Sequence, residues 1–234
     1  MKIILSKNSK IQGLITKDLL QLKTYKRTLI SFILIFSITT IIQLLSGGGN
    51  DLLSLLPVMV TLGFGMFSIA SFNYDETSKT DRYIRSLPIS LKEIVLSKYY
   101  LAVGCTIIGA LIGIPITIIL SALFTKGEIF INLSNILFIS LGGILGLSIV
   151  EAIQIPCIYK FGAEKARMQI FIIMVVLLVM LALLTGGILY WLERWSIDIN
   201  SLKPFIPFVL VALIILVYHS SYKIAYGIYE KKEF

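Results

Sequence analysis

Long stretches without a charged residue constrain this chain more than any other feature. Six such windows occur in its 234 residues: 28–50, 52–74, 99–125, 129–150, 168–192 and 204–222. Each has at least the roughly 18 residues that a helix needs to cross a hydrocarbon layer about 30 Å thick. Backbone groups inside lipid have to pair within their own segment, so the windows predict helices. We expect six transmembrane spans at 28–45, 52–72, 99–124, 134–158, 170–191 and 204–222.

The composition also indicates a membrane protein. Hydrophobic residues make up 57% of the chain and charged residues 15%, with a mean hydropathy of +0.91. A soluble domain has about 25% charged residues, so a chain this apolar needs lipid around it. The predicted fold class is therefore all-α integral membrane.

Positive charge is distributed unevenly between the two sides of the predicted bundle. All but three of the 21 Lys and Arg residues fall in the N-terminal arm, two of the loops or the C-terminal tail. The exceptions are Lys126, Arg194 and Lys203. By the positive-inside rule, both termini are cytoplasmic. We expect a cytoplasmic arm (1–27), a six-span domain (28–222) and a cytoplasmic tail (223–234). The net charge of +8 follows from this topology, and no nucleic-acid partner is expected.

Sequence motifs for catalysis are absent. The chain has no G-x-x-x-x-G-K-[ST] phosphate loop and no H-E-x-x-H zinc motif, and its only histidine is His219. These motifs supply the groups that hold nucleotide phosphates or a catalytic zinc ion. Enzyme activity, a metal site and a cofactor are therefore not expected in this chain.

Two polar residues lie within the fourth predicted span. Glu151 is about eight residues from the cytoplasmic end, hence about 12 Å deep, and Gln154 shares its helix face. A carboxylate at that depth is costly and usually faces the bundle interior or a wet cavity. Glu151 and Gln154 are thus candidates either for a transport pathway or for an interhelical hydrogen bond that holds the bundle together.

Small residues recur at the spacing of helix-packing motifs. Gly109 and Gly113 lie four residues apart in the third span, as do Gly142 and Gly146 in the fourth. Such G-x-x-x-G pairs let two helices approach closely, either within one subunit or between two subunits.

The N-terminal arm has the pattern of an amphipathic helix that lies on the inner membrane face, with its basic side toward anionic lipid. Its apolar stripe consists of Ile11, Leu14, Ile15, Leu19, Leu22 and Tyr25. Asp18 falls inside this stripe, so it needs a Lys or Arg partner from elsewhere in the subunit. A structural ion pair and a role in coupling are both open.

The longest charged stretch, SFNYDETSKTDRYIRSLPISLKEIVLSKYY at 71–100, contains helix-start signals. Ser78 is a predicted N-cap, and Ser90 with Glu93 forms a capping box. Leu87–Pro88 predicts an extended turn. We therefore expect a short helix over 79–86 and a new helix from Leu91.

The short helix mixes apolar and charged residues: Asp81, Arg82, Tyr83, Ile84, Arg85 and Leu87. Apolar side chains ringed by charge suit a plug for a partner's groove, with Tyr83, Ile84 and Leu87 at its centre. A connector that lies on the lipid headgroups would have the same composition.

The loop YKFGAEKARMQ at 159–169 is a second compact basic element. Gly162 is a predicted helix C-cap. Lys160, Lys165 and Arg167 offer contacts to phosphate or carboxylate groups, and lipid phosphate alone would account for them.

Three segments resemble a known family: GLITKDLLQLKTY (13–25), YDETSKTDRYIRSLPISLKEIVLSKYYLA (74–102) and PCIYKFGAEKAR (156–167). They look like the cytoplasmic signatures of ABC-2-type exporter permeases, in the right order and at the right topological positions. The closest branch comprises small bacterial six-span subunits that resemble the membrane components of the phenol-soluble modulin exporter and of antimicrobial-peptide efflux systems.

The resemblance implies a permease in a bacterial cell membrane that binds separate cytoplasmic ABC ATPase subunits, which carry ATP and Mg. It implies a second permease copy, alike or different, and export of amphipathic peptides or lipophilic compounds. It also implies a connecting helix before span one and a coupling helix between spans two and three. The residues assigned to ATPase coupling are Glu76, Asp81, Arg82, Tyr83, Ile84, Arg85, Leu87, Pro88, Lys160, Gly162 and Arg167, with Asp18 in the connecting helix.

Two other functions fit a six-span bundle. A stand-alone secondary transporter usually has several intramembrane charges or an internal repeat, whereas this chain has Glu151 alone and no repeat. A membrane immunity or sensor protein would bind a toxic peptide without transporting it. The family often has a re-entrant hairpin before the last span, and here the 192–203 loop is short.

Overall fold

The computed structural model describes residues 7–45, 51–124, 129–166, 168–169, 172 and 206–231. Its helices are α1 (Lys7–Leu22), α2 (Lys26–Leu45), α3 (Asp51–Thr77), α4 (Thr80–Ser86), α5 (Leu91–Phe124), α6 (Ile129–Phe161) and α7 (Ile206–Glu230). A single 3-10 turn, Lys23–Tyr25, joins α1 to α2. The predicted span 170–191 and the 192–203 loop lie almost entirely outside the described residues.

Five of these helices, α2, α3, α5, α6 and α7, are long and apolar enough to cross a membrane. Each overlaps one of the predicted spans, and several extend well beyond it. The 34 residues of α5 make it about 50 Å long, compared with about 30 Å for the hydrocarbon core. Helix α5 is therefore longer than the hydrocarbon core is thick. The all-helical, multi-pass part of the predicted fold is confirmed for the described residues.

At the centre of the described bundle, α3 packs against α2, α5 and α6. Its approach to α5 depends on two glycines. A Cβ added at Gly109 would lie 2.9 Å from Thr61 Cα, and one added at Gly113 would lie 3.0 Å from Pro57 Cα. This pair therefore serves packing within the subunit. A Cβ at either glycine of the second pair, on α6, meets no atom within 4 Å.

The helices α6 and α7 run parallel. Near their ends, the rings of Tyr159 and Tyr229 pack with centroids 4.9 Å apart. Earlier in both helices, Tyr218 OH donates a hydrogen bond of 2.6 Å to Glu151 Oε2. Both helices therefore end at the same side of the bundle.

That side also holds α1, α4, the end of α3 and the start of α5, and we call it the charged end. The largest buried apolar cluster of the described residues lies here and joins six helices. Its members are Leu14, Phe72, Ile84, Ile94, Val95, Tyr99, Ala102, Ile155, Ile158, Tyr159, Ala163, Ala166, Ala225 and Tyr229.

The apolar stripe of α1 is covered mainly by protein. Leu14 belongs to the large cluster, and Leu22 packs with Leu101 and Cys105 of α5. Only Leu19 is freely accessible, with 50% of its surface exposed. Helices α5 and α3 of the same subunit therefore take up most of the stripe.

Candidate functional site

Four charged side chains join α1, α3 and α5 at the charged end. Lys98 Nζ lies 3.0 Å from Asp18 Oδ2 and 2.6 Å from Asp75 Oδ2. Lys17 Nζ lies 3.1 Å from Asp18 Oδ1 and 2.7 Å from Asp75 Oδ1. Each carboxylate contacts both ammonium groups, so the four charges balance. We call these four residues the charge network.

Three members of the charge network are almost fully buried. Asp18 is 1% exposed, Asp75 3% and Lys98 5%. Lys98 also donates a hydrogen bond to Ser71 Oγ at 2.6 Å, and its Nζ lies 4.9 Å from the centre of the Phe72 ring. Buried charges persist when they are paired and hydrogen-bonded, and removing one partner leaves the others uncompensated. The network therefore ties the three helices together.

Lys17 lies at the accessible edge of the charge network. Burial lowers the pKa of its ammonium group, but the Asp18 and Asp75 carboxylates outweigh this effect and raise the pKa above its ordinary value. Opposite charges within a few ångströms favour the charged form. Lys17 therefore stays positive at neutral pH, and the network keeps its balance.

The sequence requires a basic partner for Asp18, and the structure places Lys98 there. Lys98 and Asp75 are not among the site residues that the sequence singles out. The sequence does contain a signal for Lys98, because this residue shares one helix face with the buried residues Ile94, Leu101 and Ala102. A charge on such a face needs a partner, but the pattern does not say which one.

The short helix α4 has one face on the bundle and one in solvent. Ile84 is 3% exposed, whereas Tyr83 is 66% exposed. The predicted plug of Tyr83, Ile84 and Leu87 therefore needs correction, because the side chain of Ile84 anchors α4 to its own subunit. Leu87 is partly buried and Pro88 is exposed. The side chains of Asp81, Arg82 and Arg85 lie outside what the structure describes.

Of the two helix starts predicted in this loop, the N-cap at Ser78 is wrong and the capping box at Ser90 is confirmed. Ser78 does not cap α4, since its Oγ donates to Tyr74 O at 2.7 Å. Lys79 occupies the N-cap position instead, with a φ of 52°. In the capping box, Ser90 N donates to Glu93 Oε2 at 2.9 Å and Glu93 N donates to Ser90 Oγ at 3.3 Å. This box starts α5 directly after the turn.

Glu76 connects the end of α3 to the end of α6. Its carboxylate accepts a hydrogen bond from Ala163 N. Gly162, just before it, has a φ of 84°, a conformation that glycine adopts without steric cost. A Cβ at Gly162 would lie 2.7 Å from Glu76 Oε1. Gly162 therefore ends α6, as the sequence predicts, and lets the carboxylate reach the backbone.

All three segments that carry the family resemblance meet at the charged end. They line one cavity of about 200 Å³, to which they contribute Asp18, Ile84 and Tyr159 among others. Lys160 is exposed beside this region, and Arg167 lies outside the described residues. The arrangement packs α1 and α4 against the ends of α3, α5 and α6.

The two polar residues of the fourth span are both buried. Glu151 accepts hydrogen bonds from Tyr218 OH at 2.6 Å, Thr106 Oγ1 at 3.3 Å and Ser68 Oγ at 3.3 Å. It thus links α6 to α7, α5 and α3, which favours the interhelical role. Gln154 is 7% exposed, and its Oε1 has no hydrogen-bond partner among the described residues.

The fold and the charged end together define the class of protein. It is a multi-pass helical membrane protein whose helices meet at a buried charge network. The family model of the ABC-2 family transporter proteins matches residues 13–230. The chain therefore belongs to the ABC-2 family of transporter membrane proteins, and the resemblance seen in its three segments is confirmed. Comparison with curated proteins gives no match. Membership of this family makes the chain a transport permease.

Proposed function

We propose that this chain is the permease subunit of an ATP-driven exporter in a bacterial cell membrane. Permeases of the ABC-2 family generally work with cytoplasmic ABC ATPases, which would carry the ATP and Mg that this chain has no phosphate loop to hold. One observation carries the proposal. Helix α4 exposes one face and packs with the other on the large buried cluster, which joins it to α1, α3, α5 and α6 beside the charge network. Such a helix is suited to pass a partner's motion into the bundle.

In this proposal the charged end faces the cytoplasm. It gathers the basic arm, both basic loops and the tail, as the positive-inside rule requires. The parallel course of α6 and α7, which both end there, agrees with the predicted order of the fourth and sixth spans. This supports six spans with both termini cytoplasmic.

Motion of α4 reaches the spans through its buried side chain. Ile84 packs in the same cluster as Ile94 of α5 and Tyr159 of α6. A close-packed interior has few voids and transmits displacement. When ATP closes two ATPases on each other, α4 moves and the attached spans tilt as rigid bodies, which opens a pathway outward.

The proposed cargo is an amphipathic peptide or a lipophilic compound, which passes between two permease copies, alike or different. Support comes from the resemblance to small bacterial peptide exporters. The spans also offer few ionised groups that could bind a sugar or an ion. Glu151 already accepts hydrogen bonds from three hydroxyl groups, whereas Gln154 Oε1 has no hydrogen-bond partner among the described residues.

Replacing the exposed tyrosine of α4 tests the coupling assignment. Tyr83→Ala leaves Ile84 and the core intact, so we expect normal folding but at least about tenfold weaker binding of the ATPase, because a buried interface tyrosine is a typical hot spot. Co-purification of the ATPase and stimulated ATP hydrolysis are the measurements. Tyr100→Ala is the control, since this tyrosine of α5 is 53% exposed but lies off α4. Unchanged binding and unchanged hydrolysis for Tyr83→Ala would reject the assignment.

A further inference from the structure

A groove of about 470 Å³ separates α1 from α4. Its walls are largely apolar and include Leu14 from α1, with Ile84 and Leu87 from the α4 region. Lys10 and Lys17 line it as well. The groove adjoins the cavity beside the charge network, and Leu14, Lys17 and Ile84 line both.

The predicted third span, 99–124, would place the groove at the level of the lipid headgroups. At one end of α1, Leu22 packs on Leu101 and Cys105 of α5, which fall within this predicted span. Toward the other end, Lys10 Nζ donates a hydrogen bond of 2.9 Å to Pro88 O, just before α5 begins. Helix α1 thus runs along the boundary between the hydrocarbon edge and the headgroup region.

Among the residues that the structure describes, no carboxylate balances the positive charge of Lys10 in the groove. The charge of Lys17 is matched by Asp18 and Asp75. Lys10 instead contacts a neutral carbonyl, and none of the described carboxylates pairs with it. An apolar wall beside an unmatched ammonium group complements a molecule with an acyl chain and an anionic head.

We propose that this groove binds one anionic phospholipid of the inner leaflet, with its phosphate at Lys10 and an acyl chain along Leu14, Ile84 and Leu87. An ammonium group near the bilayer surface attracts anionic lipid, and burial of acyl methylenes adds a favourable transfer free energy. The lipid would bridge α1 and α4, so it would restrain the helix that couples to the ATPase. The inference rests on the proposed cytoplasmic placement of the charged end.

Native mass spectrometry of the full chain tests the site, with phosphatidylglycerol or phosphatidylcholine as the added lipid. We expect the chain to retain one phosphatidylglycerol in preference to phosphatidylcholine. Lys10→Gln should weaken this binding about fivefold, the effect of one basic residue at a membrane surface. Lys23→Gln is the matched control, because it removes the same charge from an exposed position that does not line the groove.

A second variant fills the groove without removing charge. Gly13 lines it, and a Cβ there meets no atom within 4 Å, so Gly13→Leu should fold normally and lose the bound lipid. Equal retention of both lipids, or equal losses in Lys10→Gln and Lys23→Gln, would overturn the proposal. So would binding of an added amphipathic helical peptide, in place of lipid, that Gly13→Leu abolishes. No ATPase is present in this assay, so its failure is separate from failure of the Tyr83→Ala test.

Discussion

Lys98 is the residue on which the charge network most depends. It contacts both buried carboxylates, Asp18 and Asp75, and it is itself almost inaccessible to water. Lys17 reaches the same two carboxylates but is 27% exposed in its side chain. Without Lys98, two buried negative charges would share one partly solvated positive charge.

Lys98→Met should therefore destabilise the protein strongly, by about 3 kcal/mol or more, the usual cost of an uncompensated buried charge. A lower unfolding temperature in detergent is the measurement, and Lys223→Met, at an exposed lysine of α7, is the control. Asp18→Asn combined with Lys98→Met should recover part of the loss, because one positive and one negative charge then remain. A single Lys98 variant as stable as the control would contradict the account.

Substitutions at and beside Glu151 can show whether this residue has a structural role or lies on the transport pathway. Glu151→Gln keeps an oxygen that can accept the Tyr218 hydrogen bond, so we expect a loss below about 1 kcal/mol and unimpaired export. Tyr218→Phe removes the hydrogen bond of 2.6 Å to the Glu151 carboxyl group and should cost about 0.5–1.5 kcal/mol. Unfolding temperature and export rate are measured together. Lost export at an unchanged unfolding temperature in Glu151→Gln would instead support the pathway role.

At the scale of elements, the contact between α3 and α5 depends on the absence of a side chain at Gly109. Gly109→Ala places a Cβ 2.9 Å from the backbone of Thr61, which should cost about 1–3 kcal/mol as overpacking. Gly142→Ala is the matched control, because open space surrounds that position and alanine favours the helix by about 1 kcal/mol. An unfolding temperature of Gly109→Ala as high as that of Gly142→Ala would show that the seam is looser than described.

Helices that are marked by a local sequence pattern could be predicted from the sequence. Charge-free windows predicted the described spans, and the Ser90–Glu93 box placed the start of α5. The prediction that Ser78 is an N-cap was wrong, because its hydroxyl instead donates a hydrogen bond to the carbonyl of Tyr74, at the end of α3. Such a competitor is invisible when each helix start is considered alone.

Contacts between distant segments could not be predicted in the same way. An apolar stripe looks the same whether lipid or protein covers it, so α1 gave no sign that α5 packs against it. Tyr83 and Ile84 are neighbours in a seven-residue helix, and composition alone does not decide which of them faces inward. The partner of Asp18 depended on a fold that brings α5 beside α1.

At the scale of the whole molecule, the structure separates exposed apolar helix surfaces from the charged end. The exposed residues of α2 and α7 are mostly aliphatic, for example Leu34 and Ile215, and such surfaces face lipid or a second permease. The charged end holds the buried ions, the exposed helix α4 and the junction of six helices. In our proposal the first region contains the pathway walls and the second receives the motion of the ATPases.

Transport by reconstituted protein tests this division most directly. The chain would be placed in liposomes with or without the ATPase that co-purifies with it, and movement of a fluorescent amphipathic helical peptide would be followed after addition of ATP. We predict ATP-dependent transport only when the ATPase is present, with loss of transport in Tyr83→Ala. Movement of the peptide at the same rate through liposomes that hold the permease alone would contradict the proposed function.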